Sequence, residues 1–152
     1  IIDNDIKEKN EYQLTTALEY LKNDGLRFRT GDIEEWLDCG NKDATIYTNQ
    51  RVLEFCKARN EQLISDSVVI QNAVIIEPCF IASDVVLHNS VVGPHVSIGK
   101  GSKIENSVVS NSIIQQKTTI KNNVIANALI GSHTIVKGKA EDYSLGDYST
   151  LS

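Results

Sequence analysis

From Ile64 onward one phrase keeps returning in the chain: a turn residue, a small residue, then two aliphatics. It occurs as Asp66-Ser67-Val68-Val69, Asn72-Ala73-Val74-Ile75, Asn89-Ser90-Val91-Val92, Asn106-Ser107-Val108-Val109, Asn111-Ser112-Ile113-Ile114 and Asn127-Ala128-Leu129-Ile130. Asn72, Asn89 and Asn106 stand 17 residues apart, and Asn111 and Asn127 stand 16 apart. Within those intervals aliphatics step by six, through Val92, Ile98 and Ile104, from Ile114 to Ile120, and from Ile130 to Val136. Six-residue steps grouped into coils of about 16 to 18 residues predict a parallel β-helix built on hexapeptide repeats.

The physical content of that prediction is simple. Each coil has three short strands and three corners, and one aliphatic per step points into a narrow prism and stacks on its equivalents above and below. Asn and Gly suit the corners because they tolerate positive φ. Coils ~4.8 Å apart give four or five of them a height of only ~20–25 Å. The first and last coils then need covers. The helical first half is the natural cover at one end. The tail, residues 138–152, carries Tyr143, Leu145 and Tyr148, and is expected to fold over the other end or along a side. A β-sandwich would need tight turns such as Asn-Gly between alternating strands. Here Asn instead precedes a small residue and an aliphatic pair, which puts the sandwich well behind.

Before Ile64 the period is different. "NEYQLTTALEYLKNDG", Asn10 to Gly25, predicts an amphipathic helix with Leu14, Ala17, Leu18 and Leu21 on one face. Asn10 is the expected cap, with Gln13 in capping-box position, and Gly25 the stop. "LRFRTGDIEEWLDCG" reads as extended chain with a turn at Thr30-Gly31-Asp32. "NKDATIYTNQRVLEFCKAR" reads as a second helix capped by Asn41, with Ile46, Leu53 and Cys56 on its inner face. The organisation that follows is a mixed α/β segment over 1–60, a β-helix over 64–137 and a tail over 138–152.

Composition excludes several classes. Hydrophobic residues make up 41% of the 152, enough to build a core and to disfavour general disorder. The net charge of −5 leaves no basic stripe to displace counterions from phosphates, so nucleic acid is not an expected partner. No apolar run approaches the ~18 residues of a membrane span. Cys39, Cys56 and Cys79 are odd in number and form no C-x-x-C pair. They read as reduced, mostly buried thiols of a cytoplasmic protein. The chain opens Ile1-Ile2-Asp3 and contains no Met, which suggests a processed end or a piece of a longer protein.

Two motifs carry a resemblance. "NEYQLTTALEYL" at Asn10–Leu21, followed by "WLDCGN" at Trp36–Asn41, resembles the end of the catalytic domain of sugar-1-phosphate nucleotidyltransferases. These are the NDP-sugar pyrophosphorylases, glucose-1-phosphate thymidylyl- and uridylyltransferases among them. That family shows G/N-E-Y-x-L/I-T-D at the head of a helix and W-x-D-x-G at a strand end, and many members continue into a left-handed β-helix. The tail "GKAEDYSLGDYS" from Gly138 is similar to the tail of such enzymes. The resemblance implies a nucleoside triphosphate and a sugar 1-phosphate as substrates, with Mg²⁺ neutralising the phosphates.

On the matching positions, Asp38 of W-x-D-x-G would help hold Mg²⁺, and Glu11 would accept hydrogen bonds from sugar hydroxyls. Thr16 stands where the family motif has Asp. No G-x-G-T-R phosphate loop occurs in these residues, and the family places that loop, a phosphate-contacting Lys and the first Mg²⁺ carboxylate further upstream. The chain by itself is therefore expected to be catalytically silent and to serve as a structural, homo-oligomerising β-helix.

Each candidate residue has a plainer role as well. Asp38 can close a strand by accepting the next backbone N–H groups, which is the preferred role in this chain alone. Glu11 suits a first helical turn. Trp36 suits a core. Hexapeptide β-helices also occur in acyltransferases that use a His as general base with acyl-CoA. His88, His95 and His133 all lie in the repeat. His95 and His133 occupy similar-looking corners, where a solvated ring is expected. An acyl-CoA-dependent acyltransferase and a non-catalytic oligomerisation or regulatory module remain the alternatives.

Overall fold

The computed structural model describes residues 1–139, 144 and 147–150. Packing divides the chain into two compact units, Ile1–Trp36 and Leu37–Ser152.

The first unit holds one helix, α1 (Leu14–Asn23). Its N-cap is Gln13, which makes no side-chain cap bond, and Asn10 lies outside the helix with φ +66°. The predicted capping box is thus absent. The chain before α1 is turned back on itself instead, with Glu8 and Glu11 exchanging backbone hydrogen bonds of 2.9 and 3.0 Å. The apolar stripe of α1 is exposed rather than buried, Leu14 to 74%. Residues 26–40 form no strand. The predicted extended segment has the sequence of a strand but no neighbour to pair with, and a strand without a ladder is not a stable element.

The second unit begins with α2 (Lys42–Ala58), which follows its prediction closely. The Asn41 side chain accepts from the Ala44 N–H at 2.9 Å. Asp43 in the first turn and Lys57 in the last oppose the helix dipole at both ends. Ile46 and Leu53 are buried, whereas Cys56 is half-buried. Of the three thiols only Cys79 is buried, and Cys39 is exposed.

After α2 the chain winds into a parallel β-helix. The first coil is β1 (Val69–Gln71), β2 (Val74–Ile75) and β3 (Cys79–Ile81). The second is β4 (Val86–His88), β5 (Val91–Val92) and β6 (Val96–Ile98). The third is β7 (Lys103–Glu105), β8 (Val108–Ser110) and β9 (Ile113–Ile114). The fourth is β10 (Thr119–Lys121), β11 (Val124–Ala126) and β12 (Leu129–Ile130), and β13 (Ile135–Lys137) opens the next. The three sheets run β1-β4-β7-β10-β13, β2-β5-β8-β11 and β3-β6-β9-β12, every pairing parallel.

Register turns the sequence repeat into three aliphatic columns. Ile70, Leu87, Ile104, Ile120 and Val136 stack in the first sheet. Ile75, Val92, Val109 and Ile125 stack in the second, and Ile81, Ile98, Ile114 and Ile130 in the third. The members in the middle coils are fully buried. The uniform six-residue step needs one correction. From first to second column the step is five residues in every coil, as in Leu87 to Val92. From second to third it is six in the first two coils and five in the last two. That is where 17-residue coils become 16-residue coils. The longer corners carry Glu77-Pro78 and Gly93-Pro94-His95, while the shorter ones turn on Asn111 and Asn127 alone.

The corners explain the Asn-small phrase. Asn72, Asn89, Asn106 and Asn122 all have φ between +46° and +52°. Their side-chain amides form a ladder, each Nδ2 donating to the next Oδ1 at 2.8, 3.1 and 3.1 Å. Asn122 escapes the sequence phrase because Asn123, not a small residue, follows it. The small residue supplies a second ladder. Buried Ser90 accepts from the Ser107 N–H at 3.2 Å, Ser107 from Asn123 at 3.1 Å, and Ser112 from Ala128 at 3.0 Å. These hydroxyls satisfy backbone donors inside the prism, where an unpaired N–H would be costly. The tail's Tyr143 and Leu145 lie outside the described residues, and Tyr148 is fully exposed.

Candidate functional site

Glu11 and Asp38 fall in different compact units. Glu11 precedes α1 and is not in its first turn, which contains no acidic residue. It is exposed and accepts from Gln13 Nε2 at 3.3 Å. Thr16, at the position where the motif has Asp, is buried and donates to Glu8 Oε1 at 2.8 Å. Close by, Asp5 accepts from the Tyr12 hydroxyl at 2.6 Å and pairs with Lys7 at 2.7 Å. The hydrogen bonds from Lys7 and Tyr12 hold the Asp5 carboxyl below its ordinary range, and Asp5 raises the Tyr12 phenol. Trp36 is 79% exposed and anchors no sheet.

Asp38 lies in the turn that feeds α2. Its Oδ1 accepts from the Cys39 N–H at 2.7 Å and the Gly40 N–H at 3.1 Å. Those are the local bonds of an Asp closing a segment. Oδ2 accepts no hydrogen bond among the described residues and faces the open side of Gly40. The turn is tied to α2 by two hydroxyls. Thr48 Oγ1 donates to the Asp38 carbonyl at 2.7 Å, and Thr45 Oγ1 lies 3.3 Å from the Cys39 carbonyl. Among the described residues no group of three or more His, Cys, Asp or Glu side chains could hold a metal ion. Asp38 is therefore one ligand and not a site. Mg²⁺, bound by one or two carboxylates with phosphates and water, fits here only if a substrate and further residues complete its shell.

The next residue of α2 points to the β-helix. Asn49 Oδ1 accepts from the Ser97 hydroxyl on β6 at 2.6 Å, and Asn49 Nδ2 donates to the His95 carbonyl at 3.4 Å. His95 Nε2 is 3.3 Å from Glu54 Oε1, and Glu54 also pairs with Arg51, whose guanidinium lies 4.8 Å from the Phe55 ring centre. Sequence reasoning missed this group, because polar residues in mid-helix look like a solvated face until the surface beneath them is known. It also corrects the reading of the histidines. His95 sits at the corner between β5 and β6, His133 at the one between β12 and β13. The two share a positive φ, near +60°, but not a place in the coil. The His95 side chain is only 18% exposed, under α2, rather than solvated.

Several hollows lie in the second unit, these two among them. One is a groove along the asparagine ladder, floored by Val74, Val91, Val108 and Val124. The other, of about 420 Å³, is lined in part by Lys57, Leu63, Ile64, Glu77 and Cys79. Burial pushes the Cys79 thiol up, and its Sγ donates to the Ile76 carbonyl at 3.1 Å. Neither hollow contains Glu11 or Asp38.

No family model matches the chain. The chain is similar to a glucose-1-phosphate thymidylyltransferase of Streptomyces antibioticus, with 26% identity over 125 residues. That alignment covers 74% of this chain and 35% of the thymidylyltransferase. The chain thus spans about a third of the length of the curated relative it matches.

Proposed function

We propose that these residues form the C-terminal part of a sugar-1-phosphate nucleotidyltransferase that makes an NDP-sugar and pyrophosphate from a nucleoside triphosphate and a hexose 1-phosphate. The observation that carries the proposal is the distant similarity to a thymidylyltransferase over most of the chain, in a molecule whose second half is a β-helix. In the reaction a sugar-phosphate oxygen attacks the α-phosphorus in line, and the bond to the pyrophosphate oxygen breaks. Glu11 would accept hydrogen bonds from sugar hydroxyls, a contact that discriminates their orientation once water is excluded. Asp38 would offer Oδ2 to Mg²⁺ while Oδ1 stays on the Cys39 and Gly40 N–H groups. Bound Mg²⁺ supplies charge neutralisation at the phosphates.

The exposure of Leu14, Ile33 and Trp36 supports this reading. So much apolar surface on a 36-residue unit calls for a partner surface, which the rest of a catalytic domain would provide. The β-helix would be left-handed, as in the family resembled. Its exposed Val74, Val108 and Val124 would serve self-association of a cytoplasmic homo-oligomer, measurable by sedimentation as a species heavier than one chain.

The test is pyrophosphate release from dTTP or UTP with glucose 1-phosphate. The 152-residue chain is expected to release none. A longer protein that carries these residues behind a G-x-G-T-R segment is expected to release it, and Asp38→Asn in that protein should lower the rate about 10- to 100-fold. Release by the chain alone, or an unaffected Asp38→Asn enzyme, would overturn the proposal.

A further inference from the structure

The candidate magnesium carboxylate is connected to the β-helix by two consecutive residues of α2. Thr48 Oγ1 holds the Asp38 carbonyl at 2.7 Å. Asn49, one position on, is held by the Ser97 hydroxyl at 2.6 Å and reaches the His95 carbonyl at 3.4 Å. We infer that the β-helix positions Asp38 through this Ser97–Asn49/Thr48–Asp38 clasp, which makes Asn49 and Ser97 positioning residues for the phosphate-bound cation. The inference rests on the function proposed above for Asp38, but the clasp itself can be tested without it.

Three features make the clasp more than a surface contact. First, the apolar anchors of α2 are Ile46 and Leu53, both buried, and its ion pairs from Glu54 to His95 and from Lys57 to Glu77 are longer, at 3.3 and 3.4 Å. Apolar contacts fix that a helix docks but are tolerant of how far it slides or turns. A partly buried polar pair with one good partner adds the register, because every other register leaves a polar group unpaired. Second, Asn49 uses both ends of its amide, one on a side chain and one on a main-chain carbonyl, so it specifies two directions at once. Third, the receiving surface is rigid. Ser97 pairs with Ile113 in the ladder, and its neighbours Val96 and Ile98 are fully buried in the prism. The β-helix therefore acts as a fixed template, α2 as a lever, and the Asp38 turn as its moving end. His95 and Glu54, 3.3 Å apart, close the same face one turn further along α2.

The test has two arms. In the 152-residue chain, ¹⁵N order parameters report the N–H groups of Cys39 and Gly40, which hold Asp38. In the wild type they are expected near the rigid value of ~0.85; Ser97→Ala or Asn49→Ala should lower them toward ~0.6 while Ile98 and Val109 stay unchanged. Ser97→Thr, which keeps the hydroxyl, should restore them. In the longer protein, Ser97→Ala should raise the Mg²⁺ concentration for half-maximal pyrophosphate release about three- to tenfold. The KM for sugar phosphate should stay unchanged. Unaltered Cys39 and Gly40 in both alanine variants, or a Ser97→Thr protein as loose as Ser97→Ala, would overturn the clasp. A longer wild-type protein with no pyrophosphate release would instead remove the function proposed for Asp38 and leave the first arm to decide the clasp alone.

Discussion

Truncating one residue in the middle of an aliphatic column should cost far more than truncating its outward neighbour. Ile104 is fully buried, with Leu87 above and Ile120 below at the same register position. Ile104→Ala removes three carbons from the prism, about 2.5 kcal/mol of transfer free energy at ~0.8 kcal/mol each. A cavity term adds to this, and here it should be near its full value. The walls are strands tied coil to coil by parallel ladders, so they cannot close around the gap as a loosely packed helix can. The expected total is about 4 kcal/mol, toward the top of the range for such substitutions.

Ile135 lies in the same sheet but faces outward and is 67% exposed. Ile135→Ala should cost less than about 1 kcal/mol. The assay is urea unfolding of the 152-residue chain followed by far-ultraviolet circular dichroism. The single Trp belongs to the other unit and would report the wrong transition. The slope against urea should be unchanged and only the midpoint should move. If the two variants fall within about 1 kcal/mol of each other, the columns do not carry the stability of this fold and the reasoning fails.

Two further perturbations test the corners. Gly93 has φ +113°, and a Cβ there would lie 1.9 Å from the Ile76 carbonyl oxygen and 2.9 Å from Cys79 Sγ. Gly93→Ala should therefore lower the thermal midpoint sharply or prevent folding, whereas Gly131→Ala, whose Cβ meets only Thr134 Oγ1 at 3.9 Å, should leave the midpoint within a few degrees of wild type. Cys79 gives a pH test. Its thiol is raised by burial, so the folded chain holds that proton to higher pH than the unfolded chain does. The contribution is complete below the ordinary thiol pKa of ~8.5 and is lost as pH rises through the folded value. Wild type should thus lose more urea midpoint than Cys79→Ala between pH 8 and pH 10, and equal losses would show the thiol to be uninvolved.

How much of this was legible beforehand depended on whether a residue's partner is near in sequence. The parallel coils were legible because a solenoid is a local code: each coil repeats the last, so the period in Val92, Ile98 and Ile104 is the structure. The cap at Asn41 was legible because donor and acceptor are three residues apart. The capping box at Asn10 was not. The turn before α1 uses the Glu8–Glu11 exchange to satisfy the backbone, and nothing in the motif reveals that competitor. The exposure of the α1 stripe and of Trp36, and the missing strand over residues 26–40, were misread for a related reason. An apolar stripe declares that a surface wants covering without saying by what.

Spacing by itself determined the parallel coils, column residues such as Val92, Ile98, Ile104 and Ile120, and the corners at Asn72, Asn89, Asn106, Asn111 and Asn127, because a repeat shows which side chains return to the same place in each coil. Only the tertiary structure decided that the second corner is one residue longer in the first two coils. It alone decided that His95 lies under α2 rather than in solvent, and that Asn49 and Thr48 link Ser97 to Asp38. The Ser97–Asn49 bond joins residues 48 positions apart, and side chains so distant in sequence meet only where packing has already chosen a register.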